Sequence, residues 1–335
     1  MRKTIFSLVL LAAVLMLSAA RIATPARAPQ FLRPGDKIAI IAPASAHVQS
    51  IVDSGVKHLT RWGYKPVVGK AVGKRFHSFA GTVAQRKADL LWALRDTSIK
   101  AIMCTRGGYG SAQLLSEIPL DEFRRYPKWI IGYSDITALH SAQVCAGNMS
   151  IHANMCDPIG RGDSTCRALQ YLLTGKLPSY KIAAHEYNVP GRANGILVGG
   201  NMSVFTDLAE SPYDFLNRVM LNNCDVILFI EDTHENFQHV DRMLHQLKLR
   251  GVLDRIKGLI IGHFNDYRKE NGWDDMYEML NLYLKNSPYP VCYGFPTGHI
   301  GRQNYPMIEG CPVTLDVGKD SVSLNFNMPL QYLKN

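Results

Sequence analysis

Short apolar segments alternate with amphipathic stretches from residue 36 onward, and this alternation constrains the fold more than any other feature. Lys37–Ile41, Lys65–Val68 and Ile99–Cys104 have the apolar, β-branched composition of buried strands. The stretches from about Val48 to Trp62 and from Val83 to Leu94 have the spacing of amphipathic helices. The pattern predicts βαβ units and hence an α/β fold on a mostly parallel sheet. Functional loops are then expected at the carboxyl ends of its strands.

A change in composition near residue 160 predicts a domain boundary. Residues from about 160 to 195 are rich in Gly, Pro, Ser and other polar residues, and new apolar segments begin at Ile196. We therefore predict an N-terminal α/β domain over residues 31–160, a linker over residues 161–195 and a C-terminal domain over residues 196–335. The overall composition, 47% hydrophobic and 19% charged, is ordinary for a globular protein of two domains.

The first twenty residues have the pattern of a secretory signal peptide. Two basic residues precede an apolar run from Ile5 to Leu17, which ends in small residues at positions 18–20. The run is shorter than the roughly 20 residues that span a bilayer, which favours cleavage over a permanent anchor. Cleavage is expected between residues 20 and 28, because Ala26-Arg27-Ala28 also fits the signal peptidase pattern. We expect a secreted, periplasmic protein with no transmembrane segment after cleavage.

The chain is basic, with a formal net charge of +9. Its basic residues are scattered through amphipathic segments without a run or an aromatic-interleaved stripe, so nucleic acid is not an expected partner. A basic surface can still attract anionic polymers such as cell wall. None of the seven cysteines forms a close pair with metal-ligand spacing, and their odd number leaves at least one thiol outside any disulfide.

Ser134 stands at the junction between an apolar strand and a helix. The strand Trp129–Ile131 runs through a Gly-Tyr-Ser turn directly into a helix that begins near Asp135. This context is typical of a nucleophile elbow, in which the serine oxygen lies at the tip of a tight turn near helix amides. The second glycine of the usual pattern is absent, since Ile136 stands there. By itself the segment also fits a serine that caps the helix.

A glycine-rich turn follows the third strand, with the sequence Thr-Arg-Gly-Gly-Tyr-Gly-Ser from Thr105 to Ser111. Three glycines in four positions allow backbone amides to approach a ligand closely, as in an oxyanion hole. No Gly-Lys-Ser/Thr follows, so a nucleotide phosphate loop is poorly supported. An ordinary tight turn explains the segment equally well.

A carboxylate pair and a histidine follow two later strands. Glu231 and Asp232 end an apolar strand, and His299 lies in a Gly/Pro-rich loop after another. A serine nucleophile needs a base, and the base needs a carboxylate that fixes its tautomer and stabilises its cation. The order serine, acid, histidine is one known solution. The sequence does not separate the two carboxylates, and six other histidines compete as bases: His140, His152, His234, His239, His245 and His263.

Together these segments resemble the LD-carboxypeptidase family of serine peptidases, which includes the microcin C immunity peptidases. The resemblance covers nearly the whole chain after the signal peptide, and the ordered set is more specific than any one motif. Its segments are Gly35–Ala44, Phe79–Thr82, Arg106–Gly110, Gly132–Asp135, Gly199–Asn201, Leu228–Asp232, Asp241–Leu244 and Gly298–His299.

The resemblance implies a catalytic triad. Ser134 attacks the scissile carbonyl, His299 acts as base and then as acid, and Glu231 orients His299. Glu231 is preferred to Asp232 by its position in the family pattern.

The resemblance also implies how substrate is held. The oxyanion is bound by backbone amides from the Gly107-Gly108 turn and from Asp135, and Arg106 and Tyr109 of the same turn contact substrate. No metal or organic cofactor is implied.

The fold implied by the resemblance is an N-terminal α/β sandwich with a smaller β-rich C-terminal domain, and family members commonly form homodimers. One departure concerns His152, which is followed here by Ala153 and Asn154 where the family often has glycine and proline. A second is the signal peptide, since the best-known wall-recycling members act in the cytoplasm. Both affect the choice of substrate.

We expect hydrolysis of an L,D peptide bond, as in the removal of terminal D-alanine from a murein tetrapeptide. Two alternatives remain, namely cleavage of a peptide conjugate resembling microcin C and capture of muropeptides without cleavage. Retention of all three triad residues weighs against the binding protein.

Overall fold

The structure is a computed structural model that describes residues 26–156, 163–269, 272–300 and 303–333. The predicted signal peptide, residues 1–20, lies outside the described residues. Two sheets with flanking helices form the molecule, as the predicted two-domain α/β fold requires. Within the described ranges, no helix is both long and apolar enough to cross a bilayer.

The thirteen strands of the described residues are numbered in chain order. Strands β1 to β7 are Lys37–Ile41, Lys65–Val68, Ile99–Cys104, Trp129–Gly132, Ser150–His152, Ser179–Ala183 and Gly191–Asn201. Strands β8 to β13 are Val226–Thr233, Gly258–Asn265, Val291–Cys292, Met307–Glu309, Pro312–Val317 and Ser321–Phe326.

Twelve α-helices accompany the strands of the described residues. Helices α1 to α6 are Gln49–Arg61, Val83–Arg95, Ser111–Leu115, Leu120–Arg125, Thr137–Cys145 and Ser164–Leu173. Helices α7 to α12 are Met202–Asp207, Phe215–Leu221, Phe237–Leu249, Val252–Arg255, Met276–Leu284 and Leu330–Leu333. Several begin at side-chain caps, such as the capping box at Thr82, which satisfy backbone amides that the first helical turn leaves unpaired.

The first sheet has the strand order β11-β5-β4-β3-β1-β2, and all its pairings are parallel except that of β11 with β5. Its central strands β3 and β4 are buried almost throughout, as near-continuous apolar segments predict for a parallel sheet covered on both faces. The neighbouring strands β1, β3 and β4 end at the same edge. The loops that contain the predicted site residues near Ser134 therefore converge there.

The second sheet has the order β10-β9-β8-β7-β12-β13-β6. Strands β7 to β10 are parallel, whereas β12, β13 and β6 are antiparallel. Strand β11 comes from this part of the sequence but pairs with β5 of the first sheet, with Glu309 opposite Ser150. One apolar core joins both sheets and includes Trp129 and Phe229.

The structure differs from the prediction of a linker over residues 161–195. The described part of this segment contains α6, β6 and the start of β7. The Asp163 carboxylate caps α6 by accepting hydrogen bonds from the amides of Thr165 and Cys166. Leu169 and Leu172 of this helix are buried. Its amphipathic spacing is obscured in the sequence by the surrounding polar and Gly-rich residues.

Arg86 of α2 ties together the loops at the carboxyl edge of the first sheet. Its guanidinium is 1% exposed and donates hydrogen bonds to the carbonyl oxygens of Pro43, at 2.6 Å, and Gly110, at 2.9 Å. Its charge also lies 5.0 Å from the centre of the Phe79 ring. The buried Arg86 guanidinium thus fixes the loop after β1, the loop before α2 and the loop after β3 relative to one another.

We predict that Arg86→Met lowers the free energy of unfolding by about 3 kcal/mol, because the two buried carbonyl groups lose their donor. The matched control is Lys87→Met on the same helix, whose exposed ion pair with Glu117 contributes less than about 1 kcal/mol. Urea unfolding measures both. Equal losses for the two variants would contradict the role assigned to Arg86.

Candidate active site

Ser134 has a left-handed backbone conformation, with φ of 65°. It follows β4 and opens a short 3₁₀ turn, Ser134–Ile136, that leads into α5. This conformation costs a non-glycine residue of order 1 kcal/mol and is common at functional turns. The side chain of Ser134 caps neither the turn nor the helix, so the alternative of a simple helix cap does not describe it.

Gly107 allows the glycine-rich turn to approach the serine. A Cβ atom at Gly107 would lie 2.9 Å from Ser134 Cβ, 3.1 Å from Ser134 Oγ and 3.2 Å from the Asp135 amide nitrogen. Contacts below about 3 Å are not found for real Cβ atoms, so the absence of a side chain leaves the serine oxygen accessible. The Ser45 amide donates to the Gly107 carbonyl at 3.4 Å and fixes this approach from the β1 loop.

The Asp135 side chain faces away from the serine oxygen and holds the turn together. Its buried carboxylate accepts a hydrogen bond from the Ser111 amide at 2.8 Å. Burial raises its pKa, and the bonds from Ser111 and the charge of Arg86 act against the rise. The backbone amide, rather than the side chain, is therefore the group of Asp135 that can reach an oxyanion.

His299 and Glu231 meet although 68 residues separate them. His299 Nδ1 lies 2.8 Å from Glu231 Oε2, the carboxylate is fully buried, and the histidine side chain is 19% exposed. Gly298, with φ of 100°, permits the approach, because a Cβ there would lie 2.5 Å from Glu231 Oε2. The side chain of Asn265 donates to the His299 carbonyl and holds the loop on the other side.

The surroundings of His299 raise its pKa. Burial alone lowers it, but the charge of Glu231 and its hydrogen bond outweigh burial, with further help from Asp232 and Asp266. The protonated form of the ring is thus stabilised. A base that accepts a proton during a reaction needs this stabilisation.

The two adjacent carboxylates of β8, Glu231 and Asp232, have different hydrogen-bond partners. The pairing of β8 with β9 shifts register between Ile230 and Asp232, and here Glu231 bonds to His299 whereas Asp232 bonds to other residues. Asp232 accepts hydrogen bonds from Asn201 Nδ2 at 2.9 Å and from the Ser203 amide at 2.7 Å. Burial, and then the charge of Glu231, raise the pKa of Asp232 to about 7. Asp232 therefore supports the start of α7 rather than the histidine.

Tyr133 brings the serine turn to the histidine. Its ring contacts that of His299 edge to face, with centroids 5.0 Å apart. Within the part of the chain that the structure describes, no hydrogen bond joins the Ser134 hydroxyl to the His299 ring. Such bonds are often long in proteins without substrate and shorten in the complex.

The other histidines occupy different places. His234, His239 and His245 pair with nearby residues of their own segments, Thr233, Glu235 and Asp241 respectively. His263 is half-buried, and burial lowers its pKa. His140 and His152 are fully buried below the turn. Of the histidines compared, His299 is the one that combines a buried, hydrogen-bonded carboxylate with a contact to Tyr133, the residue before Ser134.

Arg106 and Tyr109 flank Gly107 and Gly108 at the rim. Both side chains are exposed, Tyr109 by 62%. The Tyr109 amide donates to Ser45 Oγ at 3.1 Å, and its ring lies 5.7 Å from that of Phe79. Both side chains are therefore open to a ligand beside the glycine-rich turn.

Sequence reasoning missed three buried ionisable groups that lie together, His140, His152 and Glu309. Their ligand atoms lie within 4.8 Å of one another, and of the described residues they form the one group suited to a metal ion. From the sequence alone, His140 and His152 are candidate bases and nothing more. Glu309 carried no signal, because it stands in a short apolar segment.

Comparison with known proteins identifies a single family for the N-terminal and the C-terminal part of the chain. The LD-carboxypeptidase N-terminal domain matches residues 38–153, and the LD-carboxypeptidase C-terminal domain matches residues 194–315. The probable murein peptide carboxypeptidase of Bacillus subtilis (strain 168) is 32% identical over 281 residues, or 81% of this chain and 86% of the relative. The microcin C7 self-immunity protein MccF of Escherichia coli is 27% identical over 329 residues, or 87% and 92% of the two chains.

A solved structure has the same fold over nearly its whole length. The muramoyltetrapeptide carboxypeptidase from Oxalobacter formigenes superposes with a TM-score of 0.77 and 26% identity, covering 88% of this chain and 99% of that one. With both family domains matched in order, and with a relative 32% identical over most of the chain, this protein belongs to the LD-carboxypeptidase family of peptidases.

Proposed function

We propose that this protein is a serine carboxypeptidase that hydrolyses an L,D peptide bond and removes the terminal D-alanine from murein tetrapeptide. The observation that carries the proposal is the hydrogen bond from His299 Nδ1 to the buried Glu231, with the His299 ring against Tyr133 and hence next to a serine in a left-handed turn. The names of the relatives from Bacillus and Oxalobacter support murein peptides as the substrate class.

His299 would act as the base. Because a carboxylate only accepts hydrogen bonds, the Nδ1 that faces Glu231 carries the hydrogen, and Nε2 keeps its lone pair for the Ser134 proton. Ser134 Oγ attacks the carbonyl carbon, and the proton passes to Nε2. The histidine then gives that proton to the leaving amine of D-alanine. Water attacks the acyl-enzyme by the same route and frees Ser134.

Backbone amides would stabilise the negative oxygen that forms during attack. The Asp135 amide lies at the start of the turn that contains Ser134, and the Gly107-Gly108 turn lies against it. Fixed amide donors stabilise an oxyanion without reorganising during the reaction. Gly107 has a second role in this step. Because it has no side chain, it leaves room for the oxyanion.

The rim suits a carboxylate-bearing peptide. Arg106 places an exposed cation beside Gly107, and a carboxypeptidase substrate has a free terminal carboxylate next to the bond that breaks. The predicted export of the chain would bring it to the compartment where murein peptides occur. The relative from Escherichia coli favours a second candidate, a microcin-like peptide conjugate, for which the same triad and rim would serve.

We expect the purified protein to release D-alanine from murein tetrapeptide and Ser134→Ala to lose several orders of magnitude in kcat, because the nucleophile is removed. Quantifying free D-alanine measures both. Cleavage of a peptide conjugate but not of tetrapeptide would favour the second candidate. Binding of either ligand without turnover, unchanged in Ser134→Ala, would favour a muropeptide-binding protein and contradict the proposal.

The pH dependence of kcat/KM follows from the pKa of His299. The base must be neutral, so the rate falls as pH drops through a pKa that lies above the ordinary value of 6.5 for histidine. Glu231→Gln removes the charge that raises this pKa. We expect the acidic limb of the profile to move to lower pH and kcat to fall by roughly 10⁴-fold. A limb that stays in place would exclude Glu231 as the partner of the base.

Gly107→Ala tests the close approach of the glycine-rich turn. The added Cβ would press on Ser134 Cβ and Oγ, so we expect kcat to fall by about 10²-fold through loss of oxyanion stabilisation. Gly35→Ala is the control for lost stability alone, because a Cβ there meets nothing within 4 Å but its φ of 89° strains the backbone away from the site. Thermal unfolding monitors the fold of both variants. Full activity in Gly107→Ala would show that the glycine-rich turn does not stabilise the oxyanion.

A further inference from the structure

Three ionisable side chains come together in the protein interior below the serine turn. His140 of α5, His152 of β5 and Glu309 of β11 are each 0% exposed. Their ligand atoms all lie within 4.8 Å of one another. None of the three has a part in the reaction proposed above.

Two of these side chains lack hydrogen bonds of normal geometry. This holds for both ring nitrogens of His152 and both carboxylate oxygens of Glu309, although the Gly199 backbone amide lies near enough to Glu309 to influence its carboxylate. Buried polar groups in proteins are nearly always satisfied, and a carboxylate without a partner is among the most costly exceptions. A ligand atom of His152 and one of Glu309 lie within 4.8 Å of each other, both on side chains without normal hydrogen bonds, which indicates that another group belongs between them.

His140 already has the hydrogen bonding of a metal ligand. Its Nε2 lies 2.9 Å from the Gly132 carbonyl oxygen, which only accepts, so Nε2 carries the hydrogen and Nδ1 has the lone pair. Metal-binding histidines usually donate their other N–H to a carbonyl in this way. The Ser150 hydroxyl lies 2.6 Å from Nδ1 but also 3.1 Å from the Ile130 carbonyl oxygen. An ion on Nδ1 would displace the Ser150 hydroxyl, which can keep its hydrogen bond to the Ile130 carbonyl oxygen as its side chain moves.

The two histidines have the neutral form that a metal ion binds, whereas Glu309 would ionise only with an ion beside it. Burial lowers the pKa of His140 to about 4 and that of His152 well below its ordinary value, so both rings are neutral at neutral pH, the form that binds metals. Burial raises the pKa of Glu309 far above its usual range, and the Gly199 amide opposes the rise only in part. A bound cation would reverse this rise and keep the carboxylate ionised.

We propose that His140, His152 and Glu309 form a binding site for a divalent transition metal ion, with Zn²⁺ as the best match. Two imidazole nitrogens and one carboxylate oxygen are a ligand set that zinc accepts, whereas calcium and magnesium require more oxygen ligands. The resemblance that led to the predicted triad implies no metal, so the site is a property of this chain's own residues. The proposal does not depend on the peptidase activity.

The ion would join the two parts of the chain. Glu309 belongs to the C-terminal domain in sequence but lies on the strand that pairs with β5 of the first sheet, opposite Ser150. His140 lies on the helix that follows Ser134, and the His152 ring lies 6.0 Å from that of Tyr133. The role is structural, since the ion would clamp β11 to α5 and β5 beneath the serine turn and would contact no reacting atom.

The test is zinc binding by the purified protein after removal of metals with a chelator. We expect one zinc per chain to remain after desalting and the thermal midpoint to rise when zinc is restored. Glu309→Gln keeps the shape of the side chain but removes its charge, and we expect at least tenfold weaker zinc binding and no rise in midpoint. Without metal this variant is expected to be as stable as the wild type, because it buries no charge.

His299→Ala is the matched control, since the catalytic histidine and Glu231 could also hold zinc. We expect this variant to retain the tightly bound ion. Cobalt(II) loading provides a second measurement on the wild-type protein, with visible d–d bands but no thiolate charge-transfer band, which excludes the cysteines as ligands. This spectrum decides the matter if Glu309→Gln does not fold.

Three results would overturn the proposal. They are a wild-type protein that binds no zinc at micromolar concentration, unchanged zinc binding in Glu309→Gln, and loss of the ion in His299→Ala. If the wild-type protein bound no zinc, a protonated Glu309 that donates its hydrogen to His152 would explain the cluster instead. None of the readouts uses peptidase activity, so their failure is distinct from failure of the proposed function.

Discussion

The hydrogen bond between His299 and Glu231 is the interaction on which the active site depends. A fully buried carboxylate is costly unless a partner offsets the loss of water, and the His299 ring is that partner. The strand β8 fixes Glu231, while the loop around Gly298 brings His299 to it. The C-terminal domain thus holds a histidine whose tautomer and orientation are set before any substrate arrives, as the proposed base requires.

The N-terminal domain supplies the serine through a second constraint, the left-handed turn at the end of β4. The turn is supported from three sides, by Gly107, by the Ser111 amide on Asp135 and by Thr137 at the start of α5. Thr137 Oγ1 accepts a hydrogen bond from the Asn201 amide at 3.0 Å, so the serine turn also rests on β7 of the other sheet. The two halves of the site are therefore held in register by packing rather than by a flexible link.

Much of this arrangement is local in sequence and could be predicted. Apolar segments such as Trp129–Ile131 are long enough to identify strands, and the glycines around Ser134 and His299 mark the turns at their ends. The choice between Glu231 and Asp232 depends on which of the two meets His299, which no local pattern contains. The short strand β11 has no signal of its own, because tertiary packing rather than its composition stabilises it. The capped helix α6 has an amphipathic spacing, but the polar and Gly-rich residues around it obscure this pattern.

The most direct test of the account is covalent labelling of the purified protein with a fluorophosphonate, a reagent that reacts with activated serine hydroxyl groups, followed by peptide mapping. The account predicts one adduct, on Ser134, that is lost in His299→Ala because the base no longer activates the hydroxyl. An adduct on another serine, or equal labelling of Ser134 in the variant, would contradict a nucleophile activated by His299 and Glu231.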